Sequence, residues 1–399
     1  MSKPAASAGA AALAPFALFS ASYFAHIGFF NPYLPLWLKD QGLGLFVIGV
    51  LTSVQAATRL FAPYAWGALS DRTGERVKLL RFGSAVAALA SIGLWFDGGV
   101  WWLALVLLVT FTHTSAMMSM AEAAMAHLVS RDGVFDARRY GRIRMWGSAG
   151  FLLMVFVAGL FFERFGMSFF PAITTLSLLV VVASSWRLPD HPEPRHAEGA
   201  RIAVGPVLRQ PVLQWFFAAM FFHILSHMGI YIFFSLYLDS LGYSKTVIGL
   251  LWALAVLAEI GWFYSQGRWM AAFSLGAWLV LTSAVTSLRM GVLAAGANLL
   301  PLLLLSQLAH ALSFAAHHAT CIALVSEYFP DRLRARGQAL FTVVGYGLPG
   351  VLAGLAGGAL SSRFGLQSVF WACAATGVLA MACSFRVWRL RSQPHGAAG

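Results

Sequence analysis

Gly67-Ala-Leu-Ser-Asp71-Arg72-Thr-Gly74-Glu75-Arg76 is a short charged stretch set between two long apolar runs, whose only charge over most of their length is Arg59. About 20 consecutive apolar residues cross a bilayer as a helix, so this stretch reads as an aqueous hairpin joining two transmembrane helices. Gly67 would let the helices approach closely, and Gly74 would permit the backbone of a tight reversal. Asp71 and Arg72 would bond to helix ends and to charges on neighbouring segments.

Composition agrees with that reading. Residues of hydrophobic type make up 59% of the chain and charged ones 11%, more apolar surface than a soluble domain of this length hides in its core. At 20 to 25 residues per span plus short loops, 399 residues hold roughly twelve helices. The net charge of +12 does not point to nucleic acid, because the basic residues sit in alternate loops, a membrane-orientation pattern. Cys321, Cys373 and Cys383 lie in apolar runs without metal-ligand spacing and read as small core residues; no metal is expected. The Ala-rich lead with one Lys and no cleavage site reads as a start rather than a removed signal.

The apolar runs predict helices at Ala14–Leu38, Leu45–Leu69, Val77–Phe96, Trp101–His127, Ile143–Phe162 and Ser168–Trp186, then Pro211–Leu238, Thr246–Gln266, Trp269–Met290, Leu300–Tyr328, Gln338–Ser361 and Gln367–Trp388. Residues 1–186 would form one six-helix bundle and 211–399 a second. The Pro-, His- and charge-rich segment 187–210 would link them on the cytoplasmic side. Apart from Lys39, Arg164, Lys245, Arg363 and the membrane residues Arg59 and Arg289, every Lys and Arg falls on the side that holds both termini. The positive-inside rule therefore puts the termini in the cytoplasm.

Val47-Ile48-Gly49 recurs as Val247-Ile248-Gly249, and at the same offset Gly67 meets Gly267 and Arg59 meets Glu259. Leu128-Val129-Ser130 recurs as Leu324-Val325-Ser326, where Gly141 meets Gly337 and Glu122 meets His318. With six helices per copy the two repeats face the same way, the parallel arrangement of many transporters.

Ionisable groups inside spans are costly and by default mark a pathway or a structural pair. Here they are Arg59, Glu122, Arg144, Glu259 and Arg289, with His227, His310, His317 and His318 among the histidines. Glu122 and Arg144 flank one short loop and are expected to pair, either as a structural salt bridge or as a site where substrate or proton competes. Glu259, mid-helix in an apolar run, suits a proton carrier or a neutral packing residue. His318 titrates near neutrality, although a lone membrane histidine is more often a core residue. His317 points about 100° away from it, and His310 is a weaker candidate. Three Arg against two Glu bias the candidates towards an anion. Of many aromatics, Tyr23 and Tyr231 are taken as candidate ligand contacts.

The Gly67, Asp71, Arg72, Gly74, Arg76 pattern resembles the loop between helices 2 and 3 of the major facilitator superfamily; Glu75 departs from the basic residue usual there. Tyr140-Gly-Arg-Ile-Arg144-Met-Trp146-Gly147-Ser148, and Gly242-Tyr-Ser-x-x-x-Ile248-Gly-x-Leu-Trp252 leading into Ala258-Glu259, resemble the phenylpropionate permease family over nearly the whole chain. More distantly, the order Glu122, Arg144, Glu259, Arg289, His318 is similar to lactose permease-type proton symporters, with Cys321 where those carry a glutamate after the histidine. The resemblance implies an all-α membrane protein of twelve helices in two parallel six-helix repeats, in a bacterial inner membrane. It implies symport of protons with a small organic solute, preferably an aromatic monocarboxylate such as 3-phenylpropionate, through a central cavity by alternating access. A sugar or nucleoside symporter is the alternative, then an efflux pump. The proton is the coupling ion, no other cofactor is implied, and a monomer is expected. No HExxH pair, nucleophile elbow or phosphate-cradling loop argues for an enzyme.

Overall fold

The computed structural model of the chain describes residues 6–131, 134–135, 137–190, 205–330 and 333–393. The predicted linker 187–210 therefore lies in part, at 191–204, outside the described residues. Among the described residues twelve helices are long and apolar enough to cross a membrane: α1 Leu13–Asp40, α2 Leu45–Thr73, α3 Arg76–Trp95, α4 Gly99–Met125, α5 Tyr140–Phe165, α6 Met167–Trp186, α7 Pro211–Ser240, α8 Lys245–Ala272, α9 Leu275–Gly296, α10 Leu300–Tyr328, α11 Arg336–Phe364 and α12 Leu366–Ser392. Apart from a two-residue antiparallel pairing of Ser130–Arg131 with Val134–Phe135, the described residues form helices and their connections.

Helix ends follow local chemistry. The Ser244 and Ser274 hydroxyls accept from Val247 N and Ala277 N at the starts of α8 and α9, satisfying donors that a helix N-terminus leaves open. Pro171, Pro211 and Pro301 occupy first-turn positions, where no amide is needed. The turns before α2 and α8 use Gly42 and Gly242 in the left-handed region, and those before α6 and α12 use Gly166 and Gly365. Both glycine pairs belong to the internal repeat, the second in a recurring Arg-Phe-Gly turn at 164–166 and 363–365.

The second span is not one continuous helix, as the sequence reading had it. Leu45–Thr58 and Ala62–Thr73 are separate helices. Pro63 has no amide to donate to Arg59, and Arg59 N and Leu60 N bond back three residues instead of four. The break divides the span between two compact units: Met1–Asp40 with Phe61–Gly199, and Gln41–Leu60 with Ala200–Gly399.

In the first unit α1 packs along α5, and α3 along α6. A Cβ on Gly28 would lie 2.7 Å from Phe151 O, so glycine sets how closely α1 and α5 approach. Phe19, Phe29, Phe30, Phe162 and Phe170 fill this core. His26 lies among them, bonded through Nδ1 to Ser177 Oγ at 2.9 Å, a satisfied core histidine.

In the second unit α12 packs on α7 and α9, α8 on α10, and the first half of α2 on α11. The last contact is the closest: a Cβ on Gly49 would fall 2.9 Å from Gly358 Cα. Gly67 plays no such part; a Cβ there meets nothing within 4 Å. Two helices contain π turns, Ala311–Ala316 in α10 and Val343–Gly347 in α11, features that concentrate at functional sites. Cys321, Cys373 and Cys383 are buried free thiols in this core.

Candidate functional site

The second unit holds a buried polar cluster built from three helical stripes. Polar residues recur every three or four positions: His223, His227 and Tyr231 on α7, Thr282, Thr286 and Arg289 on α9, and Gln307, His310 and Ser313 on α10. Positions three or four apart share one helix face, so each otherwise apolar helix turns its polar stripe inward.

Arg289 is 2% exposed. Its Nη1 donates to His310 Nδ1 at 3.1 Å and to Ser313 Oγ at 2.9 Å, and its Nη2 to Gln307 Oε1 at 3.3 Å. All three acceptors are neutral, and among the described residues no carboxylate lies in ion-pair range of Arg289. A guanidinium only donates, so His310 Nδ1 is bare and the proton of the neutral ring sits on Nε2. That nitrogen faces Glu259 Oε2 at 3.5 Å. Glu259, read from the sequence as a proton carrier or a neutral packing residue, thus stands beside the imidazole that Arg289 bonds.

The π turn of α10 begins just after His310. It brings Ser313 O to His223 Nε2 at 2.8 Å while Ser313 Oγ serves Arg289. Phe314 stacks parallel to His310 at 5.0 Å between ring centroids and faces His318 at 6.0 Å. His318 Nδ1 lies 3.2 Å from the Tyr346 hydroxyl in the π turn of α11. His227 packs against His310, Phe314 and Tyr231, and Tyr231 stacks on Trp252. The charges of Arg59 and Glu259 both act on the hydroxyls of Tyr231 and Tyr346. His317 stacks on the His223 side of the cluster at 3.3 Å between ring centroids, away from the His318 and Tyr346 side.

In the first unit the expected Glu122–Arg144 pair is not formed. Glu122 Oε1 accepts from the Tyr140 hydroxyl at 2.8 Å, while the Arg144 guanidinium lies 4.2 Å over the Phe24 ring. Tyr140 precedes Arg144 by one turn on the same face of α5 and reaches Glu122 first. Tyr23 backs this platform edge-on at 5.3 Å from Phe24, with its hydroxyl on Thr114 O at 3.2 Å. The Arg144 guanidinium has no hydrogen-bond acceptor among the described residues.

The sequence candidates thus fall into two groups. Arg59, His227, Tyr231, Glu259, Arg289 and His318 lie in the second unit, and Tyr23, Glu122 and Arg144 in the first. His310, Gln307, Ser313 and Tyr346 carry more of the second cluster than the sequence reading assigned them; the signal present was the polar stripe on α10.

The charged hairpin is built largely as read. Gly74 caps its helix in the left-handed region at φ 70°, its amide on Ser70 O. Arg76 bridges back to Asp71 Oδ1 at 3.0 Å and to Ser70 Oγ at 2.8 Å. Asp71→Asn is expected to slow transport several-fold at unchanged KM, because it loosens the hairpin and touches no candidate ligand contact. Initial uptake rates across a substrate series check this, and a changed order of substrates would refute it.

Comparison with known proteins agrees with this architecture. The MFS_1 like family model matches residues 15–372. The probable 3-phenylpropionic acid transporter of Escherichia coli (strain K12) is 24% identical over 366 residues, covering 90% of this chain and 94% of that one. The maltose permease of Geobacillus stearothermophilus is 26% identical over 372 residues, covering 92% and 93%. The crystal structure of the nucleoside transporter NupG (D323A mutant) superimposes with a TM-score of 0.84 at 15% identity, covering 94% of this chain and 99% of that one. With twelve spans, internally repeated turns and a family match over most of its length, this chain belongs to the MFS_1 like family of membrane transporters.

Proposed function

We propose that this MFS-type secondary transporter imports a small aromatic monocarboxylate, such as 3-phenylpropionate, together with a proton. The observation that carries the reading is the buried guanidinium of Arg289, bonded to neutral acceptors and separated from Glu259 by His310. A charge so placed is costly unless compensated, and Glu259 compensates it only while ionised. A proton on Glu259 leaves the cluster positive and ready for an anion; the anion's departure favours release of the proton. One element therefore links the two fluxes in the manner of a population shift. The aromatic rings lining the cluster suit an aromatic body, and the similarity to a 3-phenylpropionic acid transporter supports the same substrate class. In this reading the protein acts as a monomer in the cytoplasmic membrane, with both termini inside.

A sugar or nucleoside symporter is the second reading, favoured by the similarity to a maltose permease and to a nucleoside transporter fold. A neutral solute would leave Arg289 without an anionic partner, which ranks that reading lower.

Cells lacking their own permeases, given labelled 3-phenylpropionate, maltose and uridine, separate the two. The acid alone is expected to accumulate. Its addition to de-energised cells in dilute buffer should alkalinise the medium. Uptake of the acid without a pH change would remove proton coupling, and uptake of maltose or uridine alone would remove the acid.

A further inference from the structure

Among the described residues of the second unit, His227, Trp262 and Arg289 have buried polar side-chain atoms with nothing to bond. Among the described residues neither ring nitrogen of His227 has a hydrogen-bond partner, and the residue is 0% exposed. The Nε–H of Arg289 is likewise without an acceptor. The two belong to one neighbourhood: the His227 ring lies 5.3 Å from that of His310, and His310 Nδ1 accepts from Arg289 Nη1 at 3.1 Å. Buried polar groups in folded proteins are nearly always bonded, and hydrocarbon around the helices offers no substitute. A missing acceptor shared by the two would satisfy the Arg289 Nε–H and the N–H of His227.

Its chemistry follows from what the two groups offer. Arg289 Nε–H can only donate, and a neutral imidazole has one N–H to donate. The partner is therefore an acceptor for two separate donors. Every bond that Arg289 makes to the described residues goes to a neutral atom, so a negatively charged acceptor also supplies its counter-ion. A carboxylate meets both conditions through its two oxygens. The faces beside His227 are the rings of Phe314 and Tyr231, which extend the site with an apolar wall.

We propose that His227 and the Nε–H of Arg289 form the carboxylate subsite of the transported acid, with Phe314 and Tyr231 against its aromatic ring. The proposal rests on the acid-importing reading above and selects Arg289 over Arg144 as the anchor for the carboxylate. Arg289, His310 and Glu259 form the line that ties this subsite to the carboxyl of α8. His223 and His317 are the other titratable groups acting on His227, and Tyr231 is the one acting on Arg289.

The test is calorimetric binding of 3-phenylpropionate and of its uncharged isostere 3-phenylpropionamide to the purified full chain at one pH. Wild type is expected to prefer the acid by at least about tenfold, the scale of one charge-assisted hydrogen bond. His227→Phe keeps the ring contacts and removes both nitrogens; it should erase most of that preference while amide binding changes by about twofold or less. His227→Met is a second removal of the nitrogens should H227F not assemble, and His227→Gln, which keeps an N–H, should restore part of the preference. An unchanged acid-to-amide ratio in H227F and H227M, or equal loss of both ligands, overturns the subsite. Acetate displacing 3-phenylpropionate at equal concentration also overturns it, by showing a general anion site. Wild type that binds maltose but not the acid overturns the acid-importing reading itself, and the subsite with it.

Discussion

Glu259→Gln is expected to abolish uphill uptake while leaving exchange of preloaded substrate within about twofold of wild type. The carboxyl of Glu259 is partly exposed and lies 3.5 Å from Nε2 of His310, the imidazole that Arg289 bonds through Nδ1, so a change in its charge is felt next to Arg289. Glutamine has the same shape and hydrogen-bonding reach but no proton to gain or lose. In one-to-one symport an imposed gradient of one pH unit, worth about 1.4 kcal/mol, sustains about tenfold accumulation. In the variant that ratio should fall to one. Exchange moves substrate both ways with no net proton movement, so it survives if the site and the conformational cycle are intact. Counterflow and gradient-driven uptake in the same vesicles measure both. Loss of exchange together with accumulation would assign Glu259 to substrate binding or packing, and accumulation that persisted would exclude it as the proton carrier. Glu259→Asp, which keeps the proton, should preserve the ratio at a lower rate.

How much of this was legible in the sequence depended on whether the cause is local. Apolar run length fixes a membrane helix, and spans such as Pro211–Ser240 and Leu300–Tyr328 were read nearly to the residue. The reversal at Gly74 sits within one turn and was read too, whereas the acid of the hairpin was expected to bond to helix ends and neighbouring segments and instead meets Arg76 of the same hairpin. The break at Arg59–Phe61 was also local, since Pro63 stands in plain view, but the apolar run continues past it and periodicity alone masks the interruption. Long-range pairings were not legible. Glu122 and Arg144 are close in sequence and of opposite charge, yet a tyrosine one turn away takes the acid first. Glu259 and His310 lie on different helices, and no pattern within either helix announces their meeting. The polar residues at 307, 310 and 313 did announce an inward face on α10; what sequence could not give was which groups that face would meet. The π turns were invisible for the same reason, because they answer to packing and buried polar bonds rather than to any residue's own preference.

Gly354→Val is expected to be the most destabilising single change on α11. A Cβ at Gly354 would fall 2.5 Å from Ser53 Cβ, and the first half of α2 could yield only by moving its backbone. Flexible side-chain tips can swing aside, but these obstacles cannot. Overpacking of a fixed core costs about 1–3 kcal/mol, and here the loss spreads along the helix pair because Gly49 and Gly358 share the contact. Between membrane helices close packing is itself the attraction, since lipid solvates apolar surface as well as protein does. A separated α2 segment therefore has little to draw it back. The same segment ends at Arg59, whose charge acts on Tyr231 and Tyr346, so loosening it should also lower uptake. The three buried free thiols allow a direct measurement: a thiol-reactive dye reports unfolding as Cys321, Cys373 and Cys383 become accessible. Gly354→Val should lower Tm by at least about 3 °C and Gly354→Ala by less. Gly67→Val, where an added Cβ meets nothing, should shift it hardly at all. Equal Tm values for Gly354→Val and wild type would mean that α2 and α11 do not depend on this glycine contact, and a large drop from Gly67→Val would place the closest helix approach at the charged hairpin instead.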